Sequence, residues 1–100
     1  MEYELRRNRI TAGHIDDCIE AWLSGVVPLR RRFGFTFGGA WIVEATHELL
    51  WILAYDGPDG FDDADRRYYA STERSVLDPD PAQWFETTRS ERLRWILDPG

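Results

Sequence analysis

Lysine is absent from this chain of 100 residues, and all twelve of its basic side chains are arginine. That absence excludes Schiff-base chemistry, which needs a lysine amine, and the P-loop, which needs a lysine on its phosphates. Cysteine is nearly absent as well. A lone Cys18 has no partner for an internal disulfide, so a reducing compartment is the default and a cytoplasmic location is expected. Long apolar runs are missing: nothing approaches the roughly 18 residues of a membrane span. The N-terminus runs straight into charged residues without the apolar core of a signal peptide. Positive charge is in deficit, and a net charge of −6 argues against nucleic acid as a partner, whose phosphates such a surface repels. Histidine is scarce. His14 and His47 lie far apart and, with one cysteine, form neither a zinc pattern nor a catalytic triad.

What the chain has in abundance is large apolar surface: 43% hydrophobic and 14% aromatic residues, five of them tryptophan. A single domain over residues 1–100 is expected, and a domain this short buries only about two-thirds of its unfolded surface. The surplus points to self-association, a lined pocket, or both.

The periodicity changes along the chain. Glu2 to Ile10 alternates, with Tyr3 and Leu5 on one face and Glu4, Arg6 and Asn8 on the other, which predicts a strand. After a Thr11-Ala12-Gly13 turn, Ile15, Cys18, Ile19, Trp22, Val26, Leu29 and Phe33 form a helical stripe that Gly34 stops. Pro28 falls inside it and predicts a kink or split near Ser24 to Gly25. Phe35 to Glu44 predicts a second strand with Phe35, Phe37, Trp41 and Val43 on one face and a bulge at Gly38-Gly39. Glu48 to Tyr55 is apolar on both faces, which predicts a strand covered from both sides. A helix over Phe61 to Ala70 follows. A last strand is expected over Thr87 to Leu97, with Leu93, Trp95 and Leu97 alternating. The order βαββαβ predicts an α+β, ferredoxin-like fold: a four-stranded antiparallel sheet with helices on one face.

Four stretches then carry a resemblance: "YELR" in the first strand, the "TAGH" turn, "VVPLRRRFGF" ending the helix, and "WILAYD" before the second helix. They are similar to the NIPSNAP family, of the dimeric α-β barrel superfamily. The resemblance implies a homodimer in which two sheets pack face to face with the helices outside. Related barrels include cofactor-free monooxygenases, cyclases, isomerases and haem-handling enzymes, so activity by this route is analogy.

Five aspartates, Asp56, Asp59, Asp62, Asp63 and Asp65, crowd ten residues. An EF-hand needs oxygen ligands at positions 1, 3 and 5, glycine at 6 and an acid at 12. Counting from Asp56 puts Pro58 at position 3, and counting from Asp59 puts Phe61 at 3 and Ala70 at 12, so both registers fail. Turn chemistry and the positive end of a helix account for the acids, and no metal site is expected. Cys18 belongs to the apolar stripe and reads as core. No cofactor is expected, and haem ligation by a histidine has no supporting spacing.

The polar face of the first strand is the better candidate. With Tyr3 and Leu5 toward the helices, Glu4, Arg6 and Asn8 would face the barrel interior, either as a structural ion pair at the dimer interface or waiting for a ligand. Trp41, Trp51 and Tyr55 are candidates to line the same space. In the Arg66-Arg67-Tyr68-Tyr69 run, one tyrosine packs and the other reaches a pocket mouth. The catalytic candidates are therefore Glu4 as base, Arg6 to stabilise negative charge, and Tyr69 as proton donor. Asn8, Trp41, Trp51, Tyr55 and Tyr68 are candidates to bind a small, largely apolar molecule. The competing reading is a non-catalytic carrier or interaction protein with a packed barrel interior.

Overall fold

The first strand, β1 (Glu2–Ile10), is the spine of the fold. In the computed structural model, which describes residues 1–97, it pairs antiparallel on one edge with β3 (Glu48–Tyr55) and on the other with β4 (Phe85–Leu93). β2 (Thr36–Val43) pairs with β3, so the sheet order is β2-β3-β1-β4. All helices lie on one face: α1 (Ile15–Ala21), α2 (Val27–Arg32), α3 (Phe61–Ala70) and the short α4 (Thr72–Ser75). This is the ferredoxin-like α+β fold. No helix among the described residues is long and apolar enough to cross a membrane.

The expected split near Pro28 is present and has a particular form. Residues Trp22–Val26 make a π-helical turn between α1 and α2. Proline lacks the N–H that would bond to Ser24 and crowds that carbonyl, and widening the preceding turn removes both conflicts. The helix then ends at Gly34, whose φ of +92° suits a residue without Cβ. The Phe35 N–H donates to the Arg30 carbonyl and the Gly34 N–H to that of Arg31, at 3.1 and 3.0 Å, a Schellman closure.

Three expectations need correction. First, the sheet faces are reversed. Glu4, Arg6 and Asn8 are buried with Ile10 under the helices, while Tyr3 and Leu5 lie on the open face. Register explains it: Arg6 stands opposite Trp51, Glu4 opposite Leu53 and Asn8 opposite Leu49, the strongly buried face of β3. Second, the bulge between Phe37 and Gly39 inverts the alternation of β2. Phe37 stays on the helix side, but Trp41 and Val43 emerge on the open face opposite Leu50 and Glu48. Trp41 lies back over Gly39, where a Cβ would meet its ring at 2.4 Å. Third, β4 stops at Leu93 instead of running to Leu97. Tyr3 opposite Leu93 is its last pair, one residue short of the start of β1 at Glu2.

The core lies between helices and sheet. Trp22 packs edge-on against Phe37 and Trp51 at 5.6 and 5.4 Å, and Phe35 against Phe61 at 5.7 Å. On the open face Leu50 and Ile52 stay half-buried, although the composition of β3 predicts cover on both sides.

Candidate functional site

The structure brings seven of the eight candidate residues to the helix side of the sheet and leaves Trp41 on the other, 52% exposed. β1 is the platform. The Arg6 guanidinium donates from Nε to Glu4 Oε1 at 2.9 Å, from Nη2 to Asp65 Oδ2 at 2.9 Å, and from Nη1 to the Tyr69 hydroxyl at 3.1 Å. Burial pulls its pKa down, but Tyr69, Asp65 and Glu4 push it further up, so the net value lies above that of a free arginine. Glu4 is shared with Arg92, whose Nε lies 3.5 Å from Oε2. The carboxylate proposed as a base is thus locked between two arginines.

Asn8 is also satisfied internally. Its Oδ1 accepts from Trp51 Nε1 at 2.8 Å and its Nδ2 donates to Thr88 Oγ1 at 3.1 Å. Tyr55 donates to Asp59 Oδ1 at 2.6 Å, and Arg67 binds the other oxygen of that carboxylate. These hydrogen bonds, Tyr55 first, hold the Asp59 carboxyl below the usual range. The acidic cluster is accounted for in the same way: Asp62 pairs with Arg92, Asp63 with Arg66, and Asp65 with Arg6 and Arg30. Glu2 Oε1 caps α3 by accepting the Phe61 N–H at 2.9 Å.

Three side chains around this network escape the sequence reading. Arg30 sits in a triplet that matches the negative end of a helix, yet it is fully buried, donates from Nη1 to Asp65 Oδ1 at 2.7 Å, and stacks 3.7 Å from the Tyr68 ring centre. The usable signal is spacing, since Trp22, Val26 and Arg30 recur every four residues on the apolar stripe. Asp65 likewise follows Phe61 by four and precedes Tyr68 and Tyr69 by three and four. Arg74 is fixed by a two-pronged pair with Asp80 at 2.9 and 3.1 Å.

Around these groups is a small cavity of about 30 Å³, lined by Trp22, Val26, Arg30, Trp51, Tyr68, Tyr69, Arg74, Pro81 and Phe85. Burial pushes the Tyr68 phenol up against the opposing pull of Arg30 and Arg74, so it remains protonated as a donor. The open face carries a second, apolar cavity of about 290 Å³ between Tyr3, Ile52, Leu93 and the segment from Arg94 to Leu97.

Cys18 is fully buried and its thiol is pushed up to about 11 by desolvation. Only about 0.1% is thiolate at pH 8. Mass spectrometry after iodoacetamide treatment of the native chain at pH 8 should therefore show no adduct within an hour, with full alkylation in denaturant. Rapid native alkylation would contradict the core assignment.

Comparison with known proteins supports the same architecture. An uncharacterized NIPSNAP domain protein from Burkholderia xenovorans matches with a TM-score of 0.84 at 19% identity, covering 100% of both chains. A NIPSNAP family protein from Agrobacterium tumefaciens matches at 0.84 and 12% identity, over 98% of this chain and 96% of its own. A putative antibiotic biosynthesis monooxygenase from Nitrosomonas europaea matches at 0.70 and 10% identity, over 97% of this chain and 100% of its own. No protein-family model matches the sequence, and no curated protein matches at a significant level. Likeness at such identities is likeness of fold. The chain has the α+β fold of the NIPSNAP domain proteins.

Proposed function

We propose that this chain is a NIPSNAP-type protein that pairs through its open sheet face into a homodimeric α-β barrel and binds a small, largely apolar molecule there. The observation that carries this reading is the apolar cavity of about 290 Å³ on that face, close to the lower end of ligand-pocket sizes. Arg94 is its one charged wall among the described residues, and Trp95 stands edge-on to Tyr3 at 5.1 Å. Support for pairing comes from the surface itself. Trp95, Ile96 and Leu97, which line the cavity, are 52%, 89% and 81% exposed, and Trp41 on the same sheet face is 52% exposed.

Binding rather than acid–base catalysis is the function this cavity supports, because the polar candidates of β1 point away from it and are hydrogen-bonded within the chain. A cofactor-free reaction of isomerase, cyclase or monooxygenase type is the second reading, and one observation favours it. The half-exposed Tyr69 hydroxyl accepts from Arg6, which leaves its own proton free to donate on the helix side. In that reading Tyr69 moves the proton and Glu4 only holds Arg6.

The binding reading is tested with N-phenyl-1-naphthylamine, a neutral dye that brightens in apolar surroundings. Saturable binding with enhanced emission is expected, and it should fall at least tenfold in Leu93→Asp, which puts a charge in the cavity wall. A dye that does not saturate, or an unchanged affinity in that variant, would remove the cavity as a ligand site.

A further inference from the structure

We infer that the small cavity between the helices and the sheet is a binding site for the carboxylate group of a small organic monocarboxylic acid. It lies on the opposite side of the sheet from the apolar cavity and is independent of it. The inference starts from unmet hydrogen bonds. Trp22 Nε1, Arg30 Nε and Nη2, the Tyr68 hydroxyl and Arg74 Nε are all buried, and none has a partner among the described residues. All four of these side chains line the one cavity. Arg30 is fully buried, Tyr68 is 1% exposed and Trp22 is 4% exposed.

Leaving so many buried polar groups unpaired costs free energy for each one, and native proteins rarely concentrate them in one place. What they share is direction: every one can donate, and among the described residues no carboxylate lines the cavity. Asp65 has already spent one oxygen on Arg30 and the other on Arg6, at 2.7 and 2.9 Å, and Asp80 spends both of its oxygens on Arg74, at 2.9 and 3.1 Å. Arg30 therefore has only a shared carboxylate, and both neighbouring acids have no oxygen left for the cavity. Water would satisfy these donors, but among the lining side chains only the Tyr68 and Tyr69 hydroxyl oxygens could receive its own protons. A carboxylate brings acceptors alone, and arginine recognises it through paired N–H bonds.

Size points the same way. A water molecule needs roughly 10–15 Å³ of such space, so the cavity of about 30 Å³ admits one carboxylate group and no larger head. The rest of the molecule must leave past Tyr69, the most exposed residue of the lining at 52%. The π-helical turn that Pro28 imposes supplies Trp22 and Val26, and such turns are frequent at functional sites.

The test is calorimetric titration of the full chain with acetate, butyrate and benzoate, set against acetamide, butyramide and benzamide, with chloride and inorganic phosphate as further arms. At least one carboxylate should bind once per chain and at least tenfold more tightly than its amide, the discrimination of charge-assisted hydrogen bonds. Tyr68→Phe should weaken that binding about tenfold while the chain melts at the same temperature or higher, because it deletes a buried hydroxyl that has no partner in the free protein. Trp22→Phe gives a second variant that keeps the aromatic packing. Equal binding of amides, no saturable heat from any carboxylate, or affinity unchanged in both variants would overturn the inference. Binding of chloride or phosphate alone would also overturn it, by assigning the cavity to an inorganic ion.

Discussion

Asp65→Ala should destabilise the protein by about 3–5 kcal/mol, the cost of leaving a buried charge without its partner. For a domain of this size that is a fall in melting temperature of at least roughly 12 °C. The argument rests on sharing. Arg30 and Arg6 have side chains 0% and 7% exposed, and each directs one nitrogen at this carboxylate, at 2.7 and 2.9 Å. Arg6 keeps Glu4 as a second acceptor, whereas Arg30 keeps only the faces of Phe35, Tyr68 and Tyr69. The control is Asp63→Ala, two residues earlier on the same helix. Its pair with Arg66 is exposed on both sides, and such pairs contribute about 0–1 kcal/mol. Thermal melting of both variants decides the point. Equal small shifts would mean that Arg30 is compensated by its aromatic neighbours and that the Asp65 bridge carries no structural weight.

On the proposed face-to-face pairing, Ile52→Glu should convert the dimer to a monomer without unfolding the chain. Ile52 lies mid-strand on the open face, opposite Leu5 on one side and Gly39 on the other, and it walls the apolar cavity. A carboxylate there faces water in the monomer and meets apolar surface in a face-to-face sheet pair. Burying it unpaired costs several kcal/mol per copy, which weakens association more than about 100-fold. Light scattering at micromolar concentration measures the change, and far-ultraviolet circular dichroism checks that the sheet persists. A parent chain that is already monomeric would end the barrel proposal. A variant that stays dimeric would move the interface to another face.

Much of the architecture was legible because it depends on local pattern. The period-two run of β1, the apolar stripe from Ile15 to Phe33 and the acidic start of α3 each announce their element before any tertiary contact is known. Even the split at Pro28 is local, since a missing N–H has consequences within one turn. The grouping of Arg6, Glu4 and Tyr69 was legible in part. Their clustering on one side follows from alternation and helix spacing, but the side does not.

Chemistry and periodicity within this sequence therefore determined the elements, their order, the ferredoxin-like fold and the exclusion of lysine-dependent catalysis. Tertiary structure alone decided which face of the sheet the helices cover. An alternating strand offers both of its faces, and hydrophobicity misleads when the buried side carries Glu4, Arg6 and Asn8 while the open side carries Tyr3 and Leu5. A polar face is buried when partners arrive from elsewhere in the chain, here Asp65 and Tyr69 from α3, Trp51 from β3 and Thr88 from β4. Those partners lie 59, 63, 43 and 80 residues away. No local pattern encodes such distances, and only the packed chain brings Arg30, Tyr68 and Trp22 around one cavity.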